Sequence, residues 1–232
     1  MNLDFLSFLT SPYFVLPWYG FGLLAAGWEL NDMRYNNVNV NAPLKAVFPI
    51  LTLFFSVIMF AVYQWAVRPP QIEQKEGEEN RQVFEAYVQP KWKKVIGAVT
   101  HCVGGDGLGI MTAMVIARLL HFDFWTEFWF EYAVGFAFGW FIFQYWAMRR
   151  MGHSPLQALW RGGRAEFFSM ITVMLGMGLV MRFVTPTVVG TRPLPTTAAF
   201  WGFGALGLLV GAVFTYPMNW WLVSIGWKHG MG

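Results

Sequence analysis

Thr100-His101-Cys102-Val103-Gly104-Gly105-Asp106-Gly107-Leu108-Gly109 lies inside an otherwise apolar run that extends from Val95 to Leu120. As a helix rising 1.5 Å per residue, that run is about 39 Å long, more than the roughly 30 Å of a bilayer's hydrocarbon core. Yet it holds a histidine, the chain's single cysteine and an aspartate within six residues, with four glycines around them. A charged side chain at the centre of a spanning helix costs roughly 3 kcal/mol or more, so groups of this kind face a protein interior and mark a functional site. Reading the run as a membrane span fixes the fold class, and the remaining sequence is consistent with it.

Of the 232 residues, 56% are hydrophobic and 12% are charged. Soluble domains carry about 25% charged residues, and a soluble fold of this length has no way to hide so much apolar surface. The expectation is an all-α, polytopic membrane helix bundle forming one transmembrane domain over 1–232. The net charge of +3 does not suggest a nucleic-acid partner. One cysteine rules out an internal disulfide and any multi-thiolate cluster within a single chain. The N-terminal residues have no basic region followed by a small-residue cleavage site, so the first helix is expected to act as its own insertion signal.

Six spans are predicted, at about 13–30, 44–67, 95–120, 128–148, 165–184 and 198–225. Residues 1–12 are an amphipathic lead. Glu29, Asn31, Asp32 and Arg34 are expected at the headgroup level. The asparagine-rich 36–41 is a surface turn, and Pro69-Pro70 stops the second span. The charge run within 71–92 is an aqueous loop or short surface helix, and Lys91, Trp92, Lys93 and Lys94 form an interfacial anchor. Six crossings place both termini on one side. That side collects Arg68, Lys75, Arg81, Lys91, Lys93, Lys94, Arg149, Arg150, Arg161, Arg164 and Lys228, against Arg34, Lys45, Arg118, Arg182 and Arg192 on the other. Basic residues favour the cytoplasm, which gives N-in/C-in.

On a helix, Cys102 and Asp106 share a face and His101 lies near its edge. Thiolate, imidazole and carboxylate together suit zinc or copper, and they also suit a proton relay. The plain alternative is a buried small cysteine, with glycines serving close helix packing. Glu166 and Ser169 open the fifth predicted span, where a carboxylate is stabilised by the helix dipole; Glu131 reads the same way in the fourth. Asn219 follows the helix-interrupting Pro217 and is placed to take up freed backbone partners. His229 lies near the end of the chain. Met111, Met114, Met170, Met174, Met177 and Met181 recur at near-helical spacing, a pattern that belongs to packing more often than to copper.

The chain resembles an uncharacterised bacterial membrane family of six-helix proteins, domain of unknown function 4396. The resemblance rests on His101, Cys102, Gly105 and Gly109 in the third span, on Ala165-Glu166-Phe167-Phe168-Ser169, and on Pro217, Asn219, Trp221, Leu222, Gly226 and His229. Asp106 stands where the family usually has a second cysteine, and Ile110 where it usually has an acid. The resemblance implies a six-helix bundle and supplies no activity.

Two functions follow from the sequence. One is a non-catalytic accessory subunit of a larger membrane complex, respiratory or photosynthetic, in a bacterial inner membrane. Its partners would be lipids and other membrane-protein subunits. The alternative is handling or transport of a transition metal (copper or zinc) or of protons at a seam between the third, fifth and sixth spans. There His101, Cys102 and Asp106 would be ligands, and Glu166, Ser169, Asn219 and His229 supporting polar groups. No nucleophile–base pair, phosphate loop or nucleotide motif is present, which argues against an enzyme and leaves no catalytic residue to name.

Overall fold

A computed structural model describes residues 3–228. Every regular element among them is helical. After a 3-10 turn at Asp4–Thr10, the chain forms α1 (Pro12–Tyr35), α2 (Ala42–Phe55), α3 (Val57–Val67), the short α4 (Gly77–Val88), α5 (Lys91–Leu119), α6 (124–150), α7 (Pro155–Val189) and α8 (Ala198–Ser224). Three of these, α5, α7 and α8, are long and apolar enough to cross a membrane, at 29, 35 and 27 residues. They mark the chain as a membrane protein.

The sequence led us to expect six such helices, and three physical reasons reduce the number. Helix α1 is 24 residues long and so reaches well past the predicted boundary at 30. It carries Glu29 and Asp32, which are fully buried in the bundle rather than at the headgroup level. Helix α6 likewise buries Glu127, Glu131 and Gln144. In both helices the polar residues face protein while large apolar ones face out: Leu16, Leu23 and Leu24 on α1, and Trp125, Trp129 and Trp146 on α6.

The third reason is a reversal. The predicted second span breaks at Ser56, whose backbone turns to φ 49° and ψ −125°. Its hydroxyl donates to the carbonyl of Trp18 at 2.6 Å, and Trp18 Nε1 donates to the carbonyl of Phe54 at 2.8 Å, which pins the tip against α1. From there α3 runs back the way α2 came. Asn37, just ahead of α2, donates to the carbonyl of Val67 at 3.2 Å, and Tyr63 donates to Asp32 at 2.7 Å. A straight helix over 42–67 would hold its ends about 39 Å apart. Helices α2 and α3 therefore form a hairpin that enters and leaves at one end of the bundle.

The two ends of the described chain, residues 3 and 228, consequently lie at opposite ends of the bundle. Leu9 packs with Ala199 and Phe203 at the start of α8, and Arg192 donates to the carbonyl of Phe122 at 2.7 Å nearby. At the other end Lys91 reaches Ser224 at 2.7 Å and Asn39 reaches Asn80 at 2.7 Å. An even number of crossings would have brought the first and last described residues to the same end of the bundle.

Close helix approach depends on glycine where backbones meet. A Cβ on Gly109 of α5 would come within 2.9 Å of the Cα of Gly135 on α6, so neither position has room for a side chain. This contact draws α6 against the polar stretch of α5.

Candidate metal centre

The polar stretch of α5 meets α7 and the C-terminal half of α6 in the buried interior. Cys102 Sγ lies 3.2 Å from Asp106 Oδ2 and 3.4 Å from Glu166 Oε1. One ligand atom from each of the three residues falls within 4.8 Å of the others, and all three residues are buried. The i, i+4 spacing aligns Cys102 with Asp106 on one helix face. Glu166 is the twelfth residue of α7, because that helix begins at Pro155 rather than near Ala165. The expected interaction with a helix N-terminus therefore gives way to a place in the core. Glu131 also lies beyond the first turn of its helix, which starts at Phe124.

Each oxygen of Glu166 has a different task. Oε2 accepts from Gln144 Nε2 at 2.9 Å and pairs with Lys228 Nζ at 3.5 Å. Oε1 faces the thiol and Asp106. On Asp106, Oδ2 takes the thiol, while Oδ1 is buried and meets no donor. A thiol has a single proton to offer, so two carboxylates facing each other here require a further proton or a cation.

The backbone of α6 makes room for these groups. Its residues Phe138–Gln144 form a π-helical segment, a widened turn of a kind found mostly at functional sites. That segment carries Gln144 inward and places Gly139 directly over the carboxylates. A Cβ on Gly139 would collide with Asp106 Oδ1 and come within 2.7 Å of Glu166 Oε1.

Lys228 reaches the centre through a helix stop. Gly226 takes φ 71° immediately after α8, Trp227 N–H returns to the carbonyl of Leu222 at 2.9 Å, and Gly226 N–H returns to that of Val223 at 3.2 Å. This double return with a left-handed glycine is a Schellman motif. Trp227 is held between Phe168, Trp221 and the guanidinium of Arg164, 4.0 Å above its ring. The chain is thus turned inward, and Lys228 Nζ donates to Ser169 Oγ at 2.6 Å. Ser169 in turn donates to the carbonyl of Ala165 at 2.9 Å.

Of the residues singled out from the sequence, Cys102, Asp106 and Glu166 come together, and Ser169 joins them through Lys228. His101 does not join the triangle. Its ring packs edge-on against Phe143, with Nε2 buried and without a partner, and it lines a cavity of about 260 Å³ shared with Gln144, Lys228, Arg150 and the start of α2. Asn219 turns back on its own helix, donating to Thr215 at 3.0 Å, and so secures α8 rather than the centre. His229 lies outside the described residues. Sequence reasoning missed Gln144, Gly139 and Lys228. An uncharged amide inside an apolar run, and a lysine two residues after a helix-ending glycine, were the available signals.

Residues 91–228 match the model of a family described as a domain of unknown function, DUF4396. The chain belongs to this family. All the groups of the centre fall inside the matched region, which ends at Lys228, while α1 and the α2–α3 hairpin lie outside it. No curated protein and no solved structure matches the chain. Within the DUF4396 region, the glycine, tryptophan and leucine around position 222–227 now have a structural role: they build the turn that delivers Lys228.

Proposed function

We propose that this DUF4396 protein is a multi-pass membrane protein that binds a transition-metal cation at a buried centre made by Cys102, Asp106 and Glu166. The observation that carries the reading is the convergence of a thiol and two carboxylates, all buried, within 4.8 Å. The facing Asp106 and Glu166 carboxyl groups, which need a shared proton or a cation between them, point the same way. A thiolate with two carboxylates matches the donor preferences of zinc and of neighbouring borderline metals. The adjoining cavity, where His101, Gln144, Arg150 and Lys228 stand among apolar side chains, supplies an approach from one end of the bundle.

In this reading α1, α5, α6, α7 and α8 each cross the membrane, and the α2–α3 hairpin is re-entrant. Of the 16 lysines and arginines, only Arg118, Arg182 and Arg192 lie at the end that holds the first residues. The basic end, with the cavity and Lys228, is therefore cytoplasmic, and the N-terminal end is outside. A bacterial inner membrane fits this asymmetry. Exposed aromatics such as Trp125, Trp129 and Trp146 are accounted for by lipid contact. The same surface is where an accessory subunit would meet its partners, but no single feature of it selects a protein over lipid.

Elemental analysis of protein purified in mild detergent tests the proposal. We expect a stoichiometric transition metal in the native chain and its loss in Cys102→Ser and Glu166→Gln. Equal, near-zero metal in native and variants after reconstitution with zinc would end the metal reading.

A further inference from the structure

Lys228 stands between the cavity and the triangle. Its ammonium is nearly fully buried, lines the cavity, and touches Ser169 and Glu166 on the cavity side of the centre. Behind it lie Glu166 Oε1, the thiol and the donorless Oδ1 of Asp106. A lysine side chain is a compact positive charge on a flexible four-carbon stem, so it can leave such a position without the backbone having to unfold. Gly226 and Trp227 set where that stem is rooted, two residues beyond a left-handed turn.

We infer that Lys228 is a tethered plug: a built-in cation held by Glu166 and Ser169 until a thiophilic divalent metal ion, entering from the cavity, replaces it beside Glu166. The inference rests on the metal-centre reading above and adds its regulation. On loading, the metal takes the thiolate, Asp106 and Glu166, and the thiol proton leaves to solvent. The ammonium moves into the cavity, where Gln144 and the unpartnered Nε2 of His101 offer polar contacts. The Schellman turn then loses the side-chain anchor that fixed its last residue. Loading at the centre is in this way coupled to the order of residues 226–228.

A plug lowers apparent affinity by the fraction of molecules in which it is open. The full chain in detergent, titrated with zinc chloride by calorimetry, should therefore bind zinc about tenfold or more tightly once Lys228 is replaced by methionine. Lys228→Gln gives the same comparison with a polar side chain if the methionine variant does not fold. In the native chain, backbone amide exchange at residues 226–228 should accelerate when zinc is added, which requires no variant. Zinc binding that depends on Cys102, with affinity unchanged or weakened in both Lys228 variants and exchange at 226–228 unaffected, overturns the plug and leaves the metal centre standing. No zinc binding in any form overturns both.

Discussion

Two of the buried ionic clusters in the bundle, an outer one around Glu127 and an inner one around Glu166, differ in how completely they close. In the outer cluster Glu127 pairs with Arg118 at 2.6 Å and also with Arg192. Arg118 further donates to the carbonyl of Pro193 at 3.0 Å, and Arg192 to that of Phe122 at 2.7 Å. Two guanidiniums, Glu127 and two carbonyls tie the α5–α6 loop to the α7–α8 loop, with the buried Glu131 beside Arg118, and a void of about 10 Å³ adjoins them. The inner cluster has the opposite balance. Glu166 alone pairs with the one ammonium, no N–H or hydroxyl donor reaches Asp106 Oδ1, and a cavity of about 260 Å³ opens beside them. A closed ion network holds loops together; an acid-rich one with an unmet valence and an entrance is built to accept something.

The largest expected effect tests the closed member of this pair. Glu127→Gln leaves Arg118, whose side chain is 6% exposed, without the carboxylate it donates to. Breaking a buried pair from one side costs about 3–5 kcal/mol. Thermal unfolding in detergent should show a loss of this order, with metal content per folded chain unchanged. A loss of metal without a loss of stability would reverse the roles assigned to the two clusters.

The next effect tests the open member. Gly139→Ala puts a methyl group into the Asp106 carboxylate. Overpacking of this kind costs about 1–3 kcal/mol, and here the strain falls directly on two proposed ligands. Bound zinc should drop sharply while the outer cluster is untouched. Cys102→Ser separates the two properties further: it keeps a donor to Asp106, so stability should change by no more than about 1 kcal/mol, while metal is lost.

How much of this contrast was legible beforehand depends on what each residue's neighbours in sequence reveal. The α5 stretch announced Cys102 and Asp106 because polar groups stand out in an apolar run. Glu166 was visible but misplaced. The helix begins at Pro155, inside what composition reads as a loop with Arg161 and Arg164, so a core carboxylate passed for a first-turn one. Lys228 was seen only as a terminal basic residue, since nothing local says that a Schellman turn aims it inward. The hairpin was the most deeply hidden feature. Residues 44–67 are apolar and long enough to cross, and the reversal falls at Ser56, a residue with no turn signature, held there by Trp18 from another helix. Length arithmetic gives a crossing where tertiary contacts give a return. One reversed segment also exchanges the bundle end assigned to every residue before it, which is why the end that holds the start of α1 differs from expectation while the end of α8 does not.

That change of side gives a test of where each cluster sits relative to the membrane. A reporter enzyme active only outside the cytoplasm, fused ahead of residue 1, should be active; the same reporter fused after residue 232 should be silent. Both silent would restore six crossings and place the hairpin across the bilayer.

The smallest effect probes the turn that separates an anchored from a free lysine. Gly226 holds φ 71°, a region in which a side chain costs about 1 kcal/mol, so Gly226→Ala should lower stability by about that amount. A purely structural cap would show this loss and nothing more. If the turn exists to aim Lys228, the substitution also shifts the ammonium away from Glu166 and Ser169, and zinc should bind more tightly in Gly226→Ala than in the native chain despite the lower stability. The two measurements move in opposite directions only if the inner cluster is held closed by its own tethered cation, a state the outer cluster, with its two guanidiniums fixed to backbone carbonyls, has no means of leaving.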